Sequence, residues 1–201
     1  MDAIALLDGY ALPAAHLVGV SAGGALAQLL ALDFPERVLS LVLISTSPAT
    51  PGARDLPPPN SAFARFVRSA TVDWSDPDSV IDYLVAYARV LAGEQRYFEE
   101  NEVRGLVRAD VERAHNFAAR QNHDVLADDE KQRGQLSSIT APTLVIHGTA
   151  DPMFPLAHGN APADEIPGAQ LLPLAGAGQG IYRADWDTIT RAFVTHTAVS
   201  P

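Results

Sequence analysis

Leu17-Val18-Gly19-Val20-Ser21-Ala22-Gly23-Gly24 decides how the chain is read. An apolar run ends at Ser21, and the helical spacing Ala25, Leu26, Leu29, Leu30 starts directly after it. With small residues at Gly19, Ala22, Gly23 and Gly24, the stretch matches G-x-S-x-G, the pattern of a strand that turns sharply into a helix. Such a turn forces its tip residue into a strained backbone. Gly19 and Gly23 are expected to let the two arms pass close together. The Ser21 hydroxyl would then stand at the carboxyl end of a strand and the amino end of a helix, where developing negative charge is favoured. Ala22 is placed to offer a backbone N–H to an oxyanion. The plainer alternative is a glycine-rich strand–helix turn with a surface serine.

Outward from this stretch, Asp2 to Gly9 reads as a short amphipathic helix closed by glycine. His16 to Val20 is a short strand, and the helix after Ser21 runs to about Phe34, because Pro35 disfavours helix in the residue before it. Val38 to Ile44 is nearly continuous in apolar residues, which suits a strand buried on both faces of a parallel sheet. Pro48, Pro51 and Pro57-Pro58-Pro59 then mark a loop.

From about Ala62 to Asp128 only helical patterns occur. Ser75-Asp76-Pro77 starts one helix, with Val80, Leu84, Tyr87, Ala88 and Leu91 on one face and Gly93 at its end. A second is expected near Ala109 to Gln121. Strand–helix alternation resumes after a polar linker. Thr143 to Ile146 is a buried strand, and Leu156 to Ile166 is a helix weakened by Gly159 and Pro162. Gln170 to Leu174 is the last strand, followed by a helix from Asp185 to His196. The expected fold class is α/β: an open, mostly parallel sheet of about four strands. Residues 1–48 and 137–201 are expected to form its core, and residues 49–136 an inserted helical cap that shapes a pocket and excludes water.

Through the elbow the chain resembles the α/β-hydrolase superfamily. The resemblance continues in Phe34-Pro35-Glu36-Arg37-Val38, in Ala141-Pro142-Thr143-Leu144-Val145-Ile146-His147-Gly148-Thr149-Ala150-Asp151-Pro152, in Ile166-Pro167-Gly168-Ala169 and in Gly176-Ala177-Gly178. It covers both ends of the chain well and the middle poorly. Within the superfamily it points to the serine-nucleophile esterase branch, and to actinobacterial esterases of the aclacinomycin methylesterase type. The resemblance implies several strands ahead of the first helix read here, so the fold is expected to be partial and the chain a truncated frame, a fragment or a short form.

A serine attacks only if a base takes its proton and an acid orients that base. In this fold the chain order is Ser, acid, His. Ser21 takes the first role. Asp151 takes the second, since it lies just past a buried strand on the same sheet edge; its plainer reading is a turn aspartate before Pro152. Asp164 and Asp185 are weaker candidates, because neither follows a strand. The resemblance implies a histidine after the last strand in a Gly-x-Gly-His pattern, but here the text is Gly176-Ala177-Gly178-Gln179-Gly180. Gln179 stands in the base's position, and an amide cannot accept the serine proton. His16, His147, His158 and His196 lie on or near core elements or the tail, and His115 and His123 in the cap, so none is a ready substitute. The resemblance also implies a second oxyanion donor from a loop after an earlier strand, which this sequence does not contain.

Bulk properties narrow the function. A chain of 201 residues with 47% hydrophobic residues can bury one sizeable core. A net charge of −10 argues against nucleic acid and acidic membrane surfaces as partners. The absence of cysteine excludes disulfides and thiolate metal sites and fits a reducing cytoplasm. No apolar run approaches the ~18 residues of a membrane span. No phosphate loop and no histidine pair at metal spacing is present, so neither cofactor nor metal is expected. The leading expectation is a carboxylic-ester hydrolase acting through Ser21 on a small apolar or ester substrate, with its activity in question because Gln179 stands in place of the histidine. The alternative is a non-catalytic small-molecule-binding protein or inactive truncated hydrolase. The strand His16 to Val20 is expected to leave an apolar edge open to self-association.

Overall fold

The computed structural model describes residues 2–50, 55–117, 119 and 134–198. Four strands, β1 (Ala15–Val20), β2 (Val38–Ile44), β3 (Thr143–Gly148) and β4 (Gln170–Leu174), form one sheet in the order β1-β2-β3-β4. All three pairings are parallel, with Val20 opposite Ile44, Ile44 opposite Ile146, and Gly148 opposite Leu174. The carboxyl ends of the strands therefore share one rim.

The apolar run of β2 becomes the centre of the core. Leu41, Val42, Leu43 and Ile44 are each 0% exposed, and burying such a side chain stabilises by about 1.5–3 kcal/mol. One face packs Leu41, Leu43 and Val145 against Ala27 and Ala31 of α2 (Ala22–Asp33) and Ile166 beyond α6 (Ala157–Glu165). The other packs Val42, Ile44 and Ile146 against Ile189 of α7 (Trp186–Ala198). Helices on both faces are what a parallel sheet requires. The amino-terminal helix α1 (Asp2–Gly9) is tied in by Asp8, which pairs with Arg37 at 2.7 Å.

Among the described residues, three α-helices lie between β2 and β3: α3 (Ser61–Ser69), α4 (Pro77–Ala92) and α5 (Glu100–Arg113). Asn60 caps α3 by accepting from Phe63 N–H, Asp76 caps α4 by accepting from Asp78 N–H, and Gly93 ends α4 at φ 73°. The helix expected near Ala109 to Gln121 instead begins at Glu100 and ends at Arg113; Gln121 itself lies outside the described residues. Ion pairs set this placement, because Arg104 meets Asp82 at 2.6 Å and Arg89 meets Glu100, both between α4 and α5. No residue of α5 is buried, so an apolar stripe was a poor guide to its ends.

Two expected weaknesses of α6 have packing reasons. Gly159 sits so close to His147 that a Cβ there would lie 2.6 Å from the imidazole ring. Pro162 is inside the helix and buried. Among the described residues no helix is long and apolar enough to cross a membrane.

Candidate active site

Ser21 occupies the turn between β1 and α2 with φ 53° and ψ −119°, a conformation that non-glycine residues avoid. Its N–H donates to the Ile44 carbonyl at 2.9 Å, and its carbonyl accepts from Thr46 Oγ1 at 2.7 Å and from the N–H groups of Gly24 and Ala25. These bonds fix the strained backbone from the strand side and the helix side together. Ala22 opens α2, and N–H groups of a first turn have no acceptor within their own helix.

The glycines around the turn divide differently from the sequence expectation. A methyl at Gly19 would overlap the Gly23 carbonyl, so Gly19 is obligatory. A methyl at Gly23 would meet nothing within 4 Å. The close approach of the two arms needs a glycine only at Gly19, because it is the Gly23 backbone that fills the space. Gly24 is the second tight position, where a Cβ would lie 2.7 Å from Thr46 Cβ.

Asp151 follows β3 on the same rim, 5% exposed. Its Oδ1 accepts from the N–H groups of Met153 and Phe154 at 2.9 and 2.8 Å. Its Oδ2 is buried without a hydrogen-bond partner, and the nearest cation-capable group, His147 Nε2, stands 3.5 Å away. Burial pushes the Asp151 carboxyl up to about 6, against the two N–H donors that pull it down. His147 gives no compensating charge. Its Nε2–H donates to the Phe154 carbonyl at 2.7 Å, its Nδ1 is buried without a partner, and burial pushes its pKa down.

Gln179 lies on the loop after β4, 8% exposed. Its Nε2 donates to the Ser45 carbonyl at 3.0 Å, while its Oε1 is buried without a partner. The loop thus reaches back across the end of β3 to the end of β2, the strand beside Ser21. Three contacts hold it there: Gln179 N–H to the Leu91 carbonyl of α4 at 2.8 Å, Gly180 N–H to Ser45 Oγ at 3.0 Å, and Tyr182 Oη to the Gln179 carbonyl at 2.8 Å. Gly178 must be glycine, because a Cβ would overlap the Leu91 carbonyl. Burial, and then the nearby Asp151 carboxylate, push the Tyr182 phenol up.

Ser21, Asp151 and Gln179 are therefore gathered on one rim. Among the described residues no hydrogen bond joins any two of them, and the expectation that the Ser21 hydroxyl turns toward the other two has no such bond behind it. Asp185 is tied to Arg96 at 2.6 Å, and Asp164 lies in the last turn of α6. His16 contacts Ser40, His196 contacts the Leu41 and Pro142 carbonyls near the opposite ends of the strands, and His123 lies outside the described residues. Sequence reasoning missed Ser45, which is 1% exposed with φ 46° and holds the Gln179 loop. The polar run Ser45-Thr46-Ser47 directly after the apolar β2 was its only signal.

Comparison with known proteins agrees with this architecture. A family model described as alpha/beta hydrolase fold matches residues 1–182. The chain is 29% identical over 211 residues to rhodomycin D methylesterase of Streptomyces peucetius, covering 98% of this chain and 71% of that protein. It is 34% identical over 174 residues to 2-hydroxymuconate semialdehyde hydrolase of Pseudomonas sp. (strain CF600), covering 84% and 56% respectively. Among solved structures, an esterase from Rhodococcus sp. ECU1013 superposes with a TM-score of 0.72 at 21% identity, covering 98% of this chain and 70% of that one. With its parallel sheet, strained serine turn and match along most of its length, the chain belongs to the α/β-hydrolase fold family.

Proposed function

We propose that the chain is a carboxylic-ester hydrolase of the serine type whose turnover is held near background by Gln179. Ser21 is the nucleophile, Ala22 N–H an oxyanion donor, Asp151 the orienting acid and Gln179 the occupant of the base's position. One observation carries this reading: Asp151 Oδ2 and Gln179 Oε1 are both buried, without a partner among the described residues, on loops of the sheet rim that also carries the strained Ser21 turn. A carboxylate oxygen without a donor is what remains when an imidazole N–H is replaced by a group that does not reach it.

The chemistry follows from the parts. Ser21 Oγ attacks the ester carbonyl, and the new oxyanion sits at the amino end of α2, where Ala22 N–H and the helix dipole stabilise it. The Oγ proton has nowhere to go, because a carboxamide does not accept it near neutral pH. Loss of a triad base lowers turnover by about 10⁴–10⁶. Helices α3 to α5 serve as the cap over this rim. The end of α4 touches the Gln179 loop, and Phe63, Phe66, Trp74, Tyr83 and Tyr87 form an aromatic block behind it that suits a small apolar ester. The likeness to a methylesterase supports an ester as substrate. Self-association through the outer edge of β1 belongs to the same reading, since Val18 and Val20 there are 51% and 40% exposed.

A second reading, a binding protein that keeps the pocket without the reaction, is favoured by the Gln179 amide being pinned to Ser45. Hydrolysis of a nitrophenyl ester by the natural chain and by Ser21→Ala separates the two. A small but reproducible Ser21-dependent rate is expected; no difference supports the binder, and turnover of ordinary hydrolase magnitude contradicts the role given to Gln179.

A further inference from the structure

Gln179 leaves Ser21 without a base, yet a serine–histidine pair of the right geometry stands elsewhere on the same rim. His158 Nδ1 lies 2.9 Å from Ser47 Oγ, and His158 Nε2 lies 2.9 Å from the Pro57 carbonyl. A carbonyl can only accept, so Nε2 carries the hydrogen and Nδ1 of the neutral ring is free to accept from Ser47. A nucleophile on a base, with the base oriented by a third group, is the arrangement that activates a hydroxyl.

The surroundings separate this pair from an ordinary structural contact. His158 is 8% exposed and packs its ring on Phe154, with centroids 5.2 Å apart, so the imidazole is held in place. Ser47 is only half-buried, unlike a serine of the core. Its carbonyl accepts from Gln28 Nε2 at 3.0 Å, which anchors the residue against α2. The neighbouring Thr46 donates to the Ser21 carbonyl at 2.7 Å, so Ser47 lies beside the elbow. The other serine–histidine contact among the described residues joins His16 to Ser40, whose 0% exposure keeps any substrate away.

We propose that Ser47 is a second nucleophile of this protein, with His158 as its base, acting on small activated esters and organophosphonates. Ser47 Oγ bonds to the ester carbonyl carbon while its proton passes to His158 Nδ1. The resulting imidazolium keeps its Nε2–H on the Pro57 carbonyl. The adduct collapses by breaking the bond to the alkoxy oxygen, which takes the proton from Nδ1 and leaves as alcohol. Water then attacks the acyl-Ser47, giving its proton to His158, and the acid is released as that proton returns to Ser47. With a fluorophosphonate the same attack at phosphorus expels fluoride and stops at the adduct.

The test is to treat the natural chain, Ser21→Ala, Ser47→Ala and His158→Gln with a fluorophosphonate probe from about pH 5 to 9, and to locate the adduct by peptide mass spectrometry. In His158→Gln the side-chain amide keeps a donor for the Pro57 carbonyl but cannot take a proton. Expected is an adduct on Ser47 in the natural chain and in Ser21→Ala. Its rate should rise with pH, as base catalysis requires, and fall by about 10²–10⁴ in His158→Gln. An unmodified Ser47 in the natural chain overturns the proposal, as does a Ser47 adduct whose rate ignores both pH and His158. If His158→Gln fails to fold, the pH profile of the natural chain decides. Adducts on Ser21 are read from a different peptide, so the proposed role of Ser21 stands or falls separately.

Discussion

The two halves of the rim are built differently. On the elbow side, Ser21, Gly19, Gly24 and Thr46 are packed to contact, and the Ser21 backbone is bonded from strand, helix and β2. On the side of β3 and β4, three buried side-chain atoms have no partner among the described residues: His147 Nδ1, Asp151 Oδ2 and Gln179 Oε1. Buried polar atoms are nearly always paired, and each orphan costs about 1–3 kcal/mol. The strained turn thus persists as a packing feature, independent of whether a base stands opposite it. On the polar side, Asp151 Oδ2 accepts no hydrogen bond from the described residues.

The largest effect is expected where packing is tightest. Gly19→Ala sets a methyl against backbone, which cannot step aside, and should destabilise by about 3 kcal/mol or more. Gly23→Ala, one turn away, should be neutral or stabilising by up to about 1 kcal/mol, because the site is open and helical. Urea unfolding of the two variants measures this; equal losses would break the account of the elbow.

On the polar side the expected effect is a slope. The folded-state pKa of Asp151 is raised to about 6 from 3.8, so between these values the folded chain binds more protons than the unfolded one. Stability from this group is therefore fully present at low pH and is lost as pH rises through about 6, by on the order of 3 kcal/mol. Asp151→Asn should remove that slope, matching the natural chain near pH 4 and exceeding it at neutral pH. Denaturant midpoints across this range check it, and a natural chain that gains stability from pH 4 to 7 relative to Asp151→Asn would contradict the orphan carboxylate.

The smallest effect concerns β1. Its open edge and exposed Val18 and Val20 should give weak self-association, visible as a concentration-dependent mass in light scattering after size exclusion. Charged substitutions of both valines should reduce it. A constant monomer mass up to high concentration would remove this part of the account.

Much of the elbow side was legible in the sequence because it is local. The apolar run, the serine and the glycines lie within eight residues, Leu17 to Gly24, and β2 announces its burial by its composition. Even so, Gly19 and Gly24, and not Gly23, carry the steric demand, because the atoms that crowd them are set by three-dimensional packing. The polar side was legible in its residues and not in its wiring. Asp151 and Gln179 could be placed on the rim from strand ends, but Ser45 and Leu91, which hold the Gln179 loop, come from two distant segments. The bounds of α5 were missed because its apolar stripe, Val103, Val107 and Val111, is only half-buried, and charge pairs with α4 help place the helix.

If Gln179 alone keeps a competent serine turn idle, restoring a base there should wake it. The deciding assay is Gln179→His on a nitrophenyl ester, run beside the double variant Gln179→His with Ser21→Ala. The new imidazole can donate to Asp151 Oδ2, now buried without a donor, and accept the Ser21 proton. A Ser21-dependent rise of at least about 10² in turnover is expected, together with a flatter stability slope from Asp151. A folded Gln179→His protein with no Ser21-dependent rise would contradict the role given to Gln179.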